Sequence, residues 1–515
     1  MSMEVHSDDH LAGVGVIVKN TFLNLIGRGL PIIVGLIAIP ITVRWLGEAR
    51  YGVFSLSWEL LALFFVFDLG LGRTATQFTA RALARADHAA IPRIIWSTVS
   101  VQFFFGALGG LLVAAVAPIA ATQWFQIPPE QIALIQEARW CIYALAANIA
   151  ISLIEYSLSG ALEARQRFDI VNLIRVVFSV AGSLVIILVA GMDWNLVVFF
   201  IINFVLRILS SLSFFIACTR VFPGDWFKPR FSWSTLRELF NYGKWVAVSS
   251  ILNPFLVYFD RICLPILVGF DLVAFYMVPY QVAERLLIIP ATLSTTLFPA
   301  LSVLDGRGDH NVISHLSTQS LKFLIAAMGL IAAVFIGFAH PLMLLLFGVE
   351  YGEHSTLVFR ILCIGFSVNA IAFIPYAVIQ ACGRPDITAK FHLIEFPIHM
   401  LLLFSLGWIW SLAGVALAWS LRVSLDAALL FAYTFHKNLL HRDHLREHKV
   451  LRLLYMVVAV NAAAFLLDGV HLTALVVATI LPILSALLIY WLCFTPQERS
   501  RVWVYLRKIR AKFAT

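Results

Sequence analysis

Apolar stretches of about 20 residues recur along the chain, separated by short polar segments. A helix that crosses a bilayer needs about 20 mostly apolar residues. Fourteen segments qualify, near residues 20–45, 53–72, 94–119, 134–161, 168–190, 195–219, 238–268, 272–302, 320–347, 356–382, 388–408, 411–435, 451–468 and 471–493. Lipid offers no partners to backbone N–H and C=O groups, and no ten-residue alternation of barrel type occurs, so each stretch is expected to be a helix. The expected fold is therefore an all-α polytopic membrane protein.

Charge refines this picture. Of the 515 residues, 61% are hydrophobic and 13% charged, against roughly a quarter charged in soluble domains. That leaves no room for a large soluble domain. One set of loops carries Arg73, Arg81, Arg85 and Arg93; Arg165 and Arg167; Arg220, Lys228, Arg230 and Arg237; Arg307; Arg384; and Lys437, Arg442, Arg446 and Lys449. The alternate loops, 120–132, 191–194, 348–355, 407–410 and 468–471, hold no Lys or Arg, and only Arg50 breaks the rule. The positive-inside rule places the basic set in the cytoplasm, so both termini lie there and the span count is even. The chain is expected in a bacterial inner membrane. Glu4, Asp8 and Asp9 stand where a secretory leader would be basic, so the first apolar segment is expected to stay as a span. Residues 496–515 form a basic tail, read either as an amphipathic helix on the anionic leaflet or as a solvated extension.

A repeat lies inside the pattern. Arg85-Ala86-Asp87-His88 after the second span echoes Arg307-Gly308-Asp309-His310 after the eighth. The same offset carries Gly47 onto Gly269 and Phe54 onto Tyr276. Arg167-Phe168-Asp169-Ile170 after the fourth span matches Arg384-Pro385-Asp386-Ile387 after the tenth. Six spans separate each pair, and six is even, so the repeats run parallel about an axis along the membrane normal. This predicts an N-lobe at 1–222, a C-lobe at 232–438 and a further helix pair at 450–495, with 220–235 as a basic, turn-rich linker. Two similar lobes suit alternating access.

Charges inside spans are costly, by about 2.5–3.5 kcal/mol each on insertion scales. Arg28, Arg207, Arg285 and Arg422 lie deep, and guanidinium groups form bidentate bonds to phosphate, so these four are candidates for an anionic substrate. Glu59, Asp260 and Glu284 are carboxylates at depth beside arginines, and are candidates for a coupling H+ or Na+. The plain alternative is ion pairing within a lobe, which suits Asp68, Arg175, Arg360 and Asp426. Pro and Gly interrupt spans one, seven and eight, which places a cavity there. No P-loop, GxSxG or HExxH motif occurs, so an enzyme is not expected. His441, His444 and His448 sit at spacings of three and four in a loop that a solvated basic role explains. The six cysteines form no CxxC or Cys/His cluster and read as packing residues, so no metal or cofactor is expected.

Arg44-Trp45-Leu46-Gly47, Tyr51-Gly52, Asp68-Leu69-Gly70-Leu71-Gly72 and Ala80-Arg81 resemble the opening of bacterial polysaccharide flippases, the O-antigen and exopolysaccharide repeat-unit transporters of the multidrug/oligosaccharidyl-lipid/polysaccharide exporter superfamily. The motif match covers about the first 90 residues, and the two-lobe layout extends it less specifically. The resemblance implies spans 1–6 facing spans 7–12, and undecaprenyl diphosphate carrying an oligosaccharide as substrate. It also implies membrane lipid and a polysaccharide polymerase and assembly machinery as partners. In relatives, cations from spans one, two and eight engage the diphosphate. Arg28 and Arg285 occupy comparable places, whereas span two carries Glu59 in place of a cation. The last helix pair would cradle the lipid tail. Two alternatives stand beside this: a cation-coupled drug exporter of the same superfamily, and a membrane glycan polymerase or ligase. The former usually has twelve spans. The latter would need a large outer loop, and the longest here is near 120–132.

The charge pattern makes a direct prediction. Topology reporters fused after Arg93, Arg230 and Lys449 should read cytoplasmic, and those at Gln126 and Gly352 periplasmic. One swapped reading would undo the span count.

Overall fold

Long apolar runs become long helices. The computed structural model describes residues 6–85, 87–222, 228, 230–466 and 472–493, and no strand occurs among them. The helices are α1 (His6–Leu63), α2 (Leu71–Ala84), α3 (Ala90–Ile119), α4 (Ile132–Ala164), α5 (Phe168–Gly191), α6 (Leu196–Val221), α7 (Trp233–Val268), α8 (Val273–Glu284), α9 (Ile288–Gly306), α10 (His310–Gly337), α11 (Ala339–Phe347), α12 (Val349–Ala381), α13 (Pro385–His436), α14 (Arg442–Glu447), α15 (Val450–Leu466) and α16 (Leu472–Leu492). Short 3₁₀ turns at Phe64–Asp68, Phe270–Leu272 and Arg285–Leu287 join neighbouring helices. The basic tail lies outside the described residues.

Ten helical stretches among the described residues are long and apolar enough to cross a membrane. Two of them each hold two expected spans. Helix α1 breaks only at Gly47 (φ 73°, ψ 170°), and α13 only at Trp410 and Ser411. Helix α15 has 17 residues. The count of fourteen thus remains an expectation.

The chain divides into two compact units, Met1–Val278 with His392–Phe404, and Pro279–Phe391 with Ser405–Thr515. In the first, Ile91, Ile95, Leu158, Leu162, Val171, Phe214 and Cys218 form one buried core across α3, α4, α5 and α6. Helices α3 and α4 approach closely through small residues. A Cβ on Gly106 would meet the Ala150 Cα at 2.6 Å, and one on Gly110 the Ala146 carbonyl oxygen at 2.6 Å. Such seams matter because lipid removes most of the hydrophobic drive between helices, leaving close packing to hold them. Helix α7, the first of the second repeat, packs within this unit against α1, α2 and α3. In the second unit Ala372, Ile379, Ile387, Ala427 and Leu430 form a core across α12 and α13.

The echoed motifs share local geometry. Gly269 (φ 88°, ψ 157°) adopts nearly the backbone conformation of Gly47. Asp87 N–H donates to the Ala82 carbonyl at 2.9 Å, and Asp309 N–H to the Leu304 carbonyl at 3.0 Å. Arg167 makes a two-pronged contact with Asp169, with Nε–Oδ1 and Nη2–Oδ2 both 2.9 Å. Arg384 does the same with Asp386, at 2.9 and 3.1 Å. These hydrogen bonds raise both arginine pKa values above the ordinary value. In each case the arginine N–H also donates five residues back, to Leu162 or Ile379.

Only glycine adopts the Gly47 and Gly269 conformation readily, and nothing lies within 4 Å of either would-be Cβ, so any penalty is one of backbone alone. Gly47→Ala and Gly269→Ala should each lower stability by about 1–3 kcal/mol. Gly29→Ala, inside α1 with equally open space, should be neutral or stabilising by up to about 1 kcal/mol. Thermal unfolding of the purified protein reads the difference.

Candidate functional site

Helix α7 carries Asp260 and Arg261 in an otherwise apolar stretch, and the second half of α1 carries Glu59. Both helices belong to the first unit, and their packing brings the three together. Arg261 Nη1 donates to Glu59 Oε1 at 3.0 Å, and Arg261 Nε lies 3.7 Å from Asp260 Oδ1. The side chains are 2%, 8% and 0% exposed for Arg261, Glu59 and Asp260, so the ions are held away from solvent. Tyr276 O–H donates to Asp260 Oδ2 at 3.2 Å, and Arg261 Nη2 donates to the Val257 carbonyl. The guanidinium also lies over the Tyr258 ring, 5.0 Å from its centroid. Two carboxylates against one guanidinium leave this trio with a formal charge of −1 when ionised. Two of the three expected coupling carboxylates, Glu59 and Asp260, thus share one arginine. Glu284 ends α8 in the second unit.

Next to the trio lies a cavity of about 420 Å³. Aromatic and polar groups share its wall: Trp58, Phe65, Tyr156 and Tyr258 with Asp68, Ser152, Arg207, Ser250 and Asn253. Arg207 reaches it from α6, is 29% exposed, and has Glu155 Oε2 3.4 Å from its Nη1. Asp68 accepts from the Gly72 N–H at 3.2 Å and from the Gln102 amide, which in turn accepts from Ser157 O–H. Tyr258 is common to both features, lining the cavity and lying under Arg261.

The remaining expected arginines are placed as follows. Arg28 lies on α1, and its side chain lies outside the described residues. Arg285 opens the 3₁₀ turn between α8 and α9, and its buried Nε has no hydrogen-bond partner among the described residues. Arg422 is buried on α13, 6.0 Å from the Trp419 ring centroid. Both belong to the second unit. Among the three expected phosphate-binding arginines whose side chains are described, Arg207 lines this cavity.

Two of the other charges expected to pair have these contacts. Arg175 meets Glu163 at 2.8 Å, and Arg360 donates to the Ile336 carbonyl at 3.3 Å. Arg50, the exception in the loop pattern, bonds Glu137 at 2.9 Å, Asp193 at 2.8 Å and the Trp194 carbonyl. Two carboxylates compensate its charge.

Arg261 is not among the residues that the sequence singles out. Its signal was an acid and a base side by side in an apolar helix, where neither is tolerated alone. Tyr258 and Tyr276 left no signal, since aromatic residues are common throughout the spans.

The family of polysaccharide biosynthesis proteins matches residues 17–304. A putative O-antigen transporter from Shigella flexneri is 30% identical over 422 residues, covering 80% of this chain and 96% of its own. Among solved structures, an inward-facing multidrug resistance MATE family transporter of the MOP superfamily superposes with a TM-score of 0.70 at 12% identity, over 80% of this chain and 97% of its own. The lipid II flippase MurJ, in an inward closed conformation, does so with a TM-score of 0.66 at 12% identity, over 90% and 96%.

The buried trio can be tested by a double-mutant cycle. Arg261→Met should lower stability by about 3–5 kcal/mol, because it strands two buried carboxylates. Adding Glu59→Gln should restore part of the loss, so that the double variant is more stable than the sum of the singles predicts. Strict additivity in unfolding of the purified protein would deny the direct pair.

Proposed function

The chain belongs to the polysaccharide biosynthesis protein family, among the polysaccharide flippases of its superfamily, and from that premise we propose that it turns undecaprenyl-diphosphate-linked oligosaccharide from the inner to the outer leaflet of the bacterial inner membrane by alternating access. It is a multi-pass membrane transporter rather than an enzyme.

The observation that carries the substrate reading is the cavity with Arg207. Its chemistry suits a glycan joined to phosphate. The apolar faces of sugar rings stack on Trp58, Tyr156 and Tyr258, hydroxyls exchange hydrogen bonds with Ser152 and Asn253, and the guanidinium takes phosphate oxygens. Arg28, Arg285 and Arg422 are proposed to engage the diphosphate with Arg207.

Coupling is proposed at Glu59 and Asp260, with Glu284 a further candidate. H+ or Na+ is the proposed ligand of these carboxylates. Arg261 ties α7, from the second repeat, to α1, from the first. A second tie joins the same repeats, where Ser232 N–H, at the start of α7, donates to Ser97 Oγ of α3 at 2.9 Å. A cavity that changes face needs α7 to part from α1, which breaks the Glu59–Arg261 bond. A cation or proton taken up by the carboxylates lowers the penalty of that parting. Membrane lipid, a polysaccharide polymerase and its assembly machinery are proposed partners. The last helix pair is proposed to cradle the lipid tail.

A deletion strain should accumulate lipid-linked repeat units on the cytoplasmic face and lose surface polysaccharide, and normal export without the protein would end this reading. Arg28→Ala, Arg207→Ala and Arg285→Ala should each reach the membrane yet weaken capture about tenfold or more, since a charged hydrogen bond contributes about 1.5–3 kcal/mol. Lysine variants should fall between, keeping charge without the fork. Amide variants of Glu59 and Asp260 should export without ion dependence. Full complementation by all three alanine variants at native level would place the diphosphate elsewhere.

A further inference from the structure

Four histidines meet in the second unit. His315 lies in the second turn of α10, His441 precedes α14, His444 lies on it and His448 follows it. Ring centroids are 4.9 Å apart for His315 and His448, 5.6 Å for His315 and His444, and 5.5 Å for His441 and His444. His315 Nδ1 faces His448 Nε2 at 3.3 Å.

That separation suits two chemistries, a hydrogen bond between the rings or a metal ion held by both. A usual N–H hydrogen bond runs about 2.7–3.2 Å, so 3.3 Å is long for one. Two nitrogens bound to one zinc at about 2.0–2.1 Å, at the tetrahedral angle, lie about 3.3 Å apart. The rings also have outer partners that set their orientation. His315 Nε2 lies 2.9 Å from the Gln319 side-chain amide, whose two ends are isosteric, so its oxygen can accept from Nε2–H and leave the Nδ1 lone pair for a ligand. His444 Nδ1 lies 2.9 Å from Ser314 Oγ, which also accepts from the His441 N–H at 2.8 Å. Nδ1–H donating to that oxygen leaves the His444 Nε2 lone pair available. Histidines that bind metals are held through the opposite ring nitrogen in this way.

We propose that His315 Nδ1 and His448 Nε2 bind a divalent transition-metal ion of the zinc class, with His444 swinging in through Nε2 as third ligand and water as fourth. Neutral imidazoles select such ions over Mg²⁺ or Ca²⁺. The ion staples the start of α10 to the segment joining α13 and α15, which the sequence alone leaves as a basic loop. The proposal is independent of the flippase reading.

The test uses the full-length protein in detergent, stripped with a chelator and titrated with Zn²⁺ against a chromophoric competitor. Wild type should bind one Zn²⁺ per chain at this site, and Co²⁺ in its place should give the intense visible bands of a tetrahedral ion. His315→Gln and His448→Gln should each weaken binding by more than about 100-fold, beyond the 10–100-fold typical of losing an outer hydrogen bond. Glu350→Gln with Glu353→Gln should leave it unchanged; with His354, those residues form an exposed group also able to hold a cation. Zn²⁺ should raise the unfolding temperature of wild type and not that of the histidine variants. Failure of wild type to bind overturns the proposal whatever the variants do. Retention of full affinity by the His315→Gln/His448→Gln double variant overturns it equally.

Discussion

Arg261 lies almost wholly buried between Glu59 and Asp260, and the contact between α1 and α7 depends on how that charge is compensated. An isolated guanidinium in a low-dielectric interior is strongly disfavoured, and its attraction to a carboxylate offsets desolvation only when geometry and further hydrogen bonds are good. The Val257 carbonyl, the Tyr258 face and the Tyr276 hydroxyl supply those further contacts. The same discipline appears at the loop end of the unit, where Arg50 takes two carboxylates and a carbonyl, and Glu137 also accepts the Leu196 N–H at 2.6 Å. Polar groups in this chain are therefore a record of which helices must touch.

What sequence could show follows from the range of each interaction. The spans were legible because hydropathy is a local sum, and each expected segment with described residues falls on helix. The Arg-x-Asp echoes were legible because they are short, and in the Arg167 and Arg384 copies the arginine makes the same two-pronged contact with the aspartate two positions on. The break between spans one and two was expected as a loop and is one glycine, since a positive φ lets the chain turn in a single residue. The pairing of Glu59 with Arg261 crosses 202 positions, and nothing in one sequence ranks Arg261 above the other deep arginines as its partner. His315 was passed over for the same reason, being 133 residues from His448.

Depth alone also failed to sort the arginines by use. Arg207 and Arg261 both lie in spans beside a carboxylate, yet their surroundings differ. Arg261 is 2% exposed, with its partner at 3.0 Å and a second carboxylate at 3.7 Å. Arg207 is 29% exposed on a cavity wall, with Glu155 at 3.4 Å. A phosphate entering the cavity carries more charge than Glu155 and accepts a bidentate pair, so Arg207 can exchange partners without being stranded. Arg261 cannot do so unless its own carboxylates are first compensated.

That difference divides the labour between the two arginines and suggests how they communicate. Tyr258 lines the cavity and lies under the Arg261 guanidinium, and Trp58 on the cavity wall precedes Glu59 in α1. A sugar ring seated against Tyr258 would constrain the face on which Arg261 rests, and a proton or cation on Glu59 would free α1 and Trp58 to move. Asp260 lies on α7 beside Arg261, so it keeps the guanidinium compensated when Glu59 is neutralised, without itself holding α1 to α7.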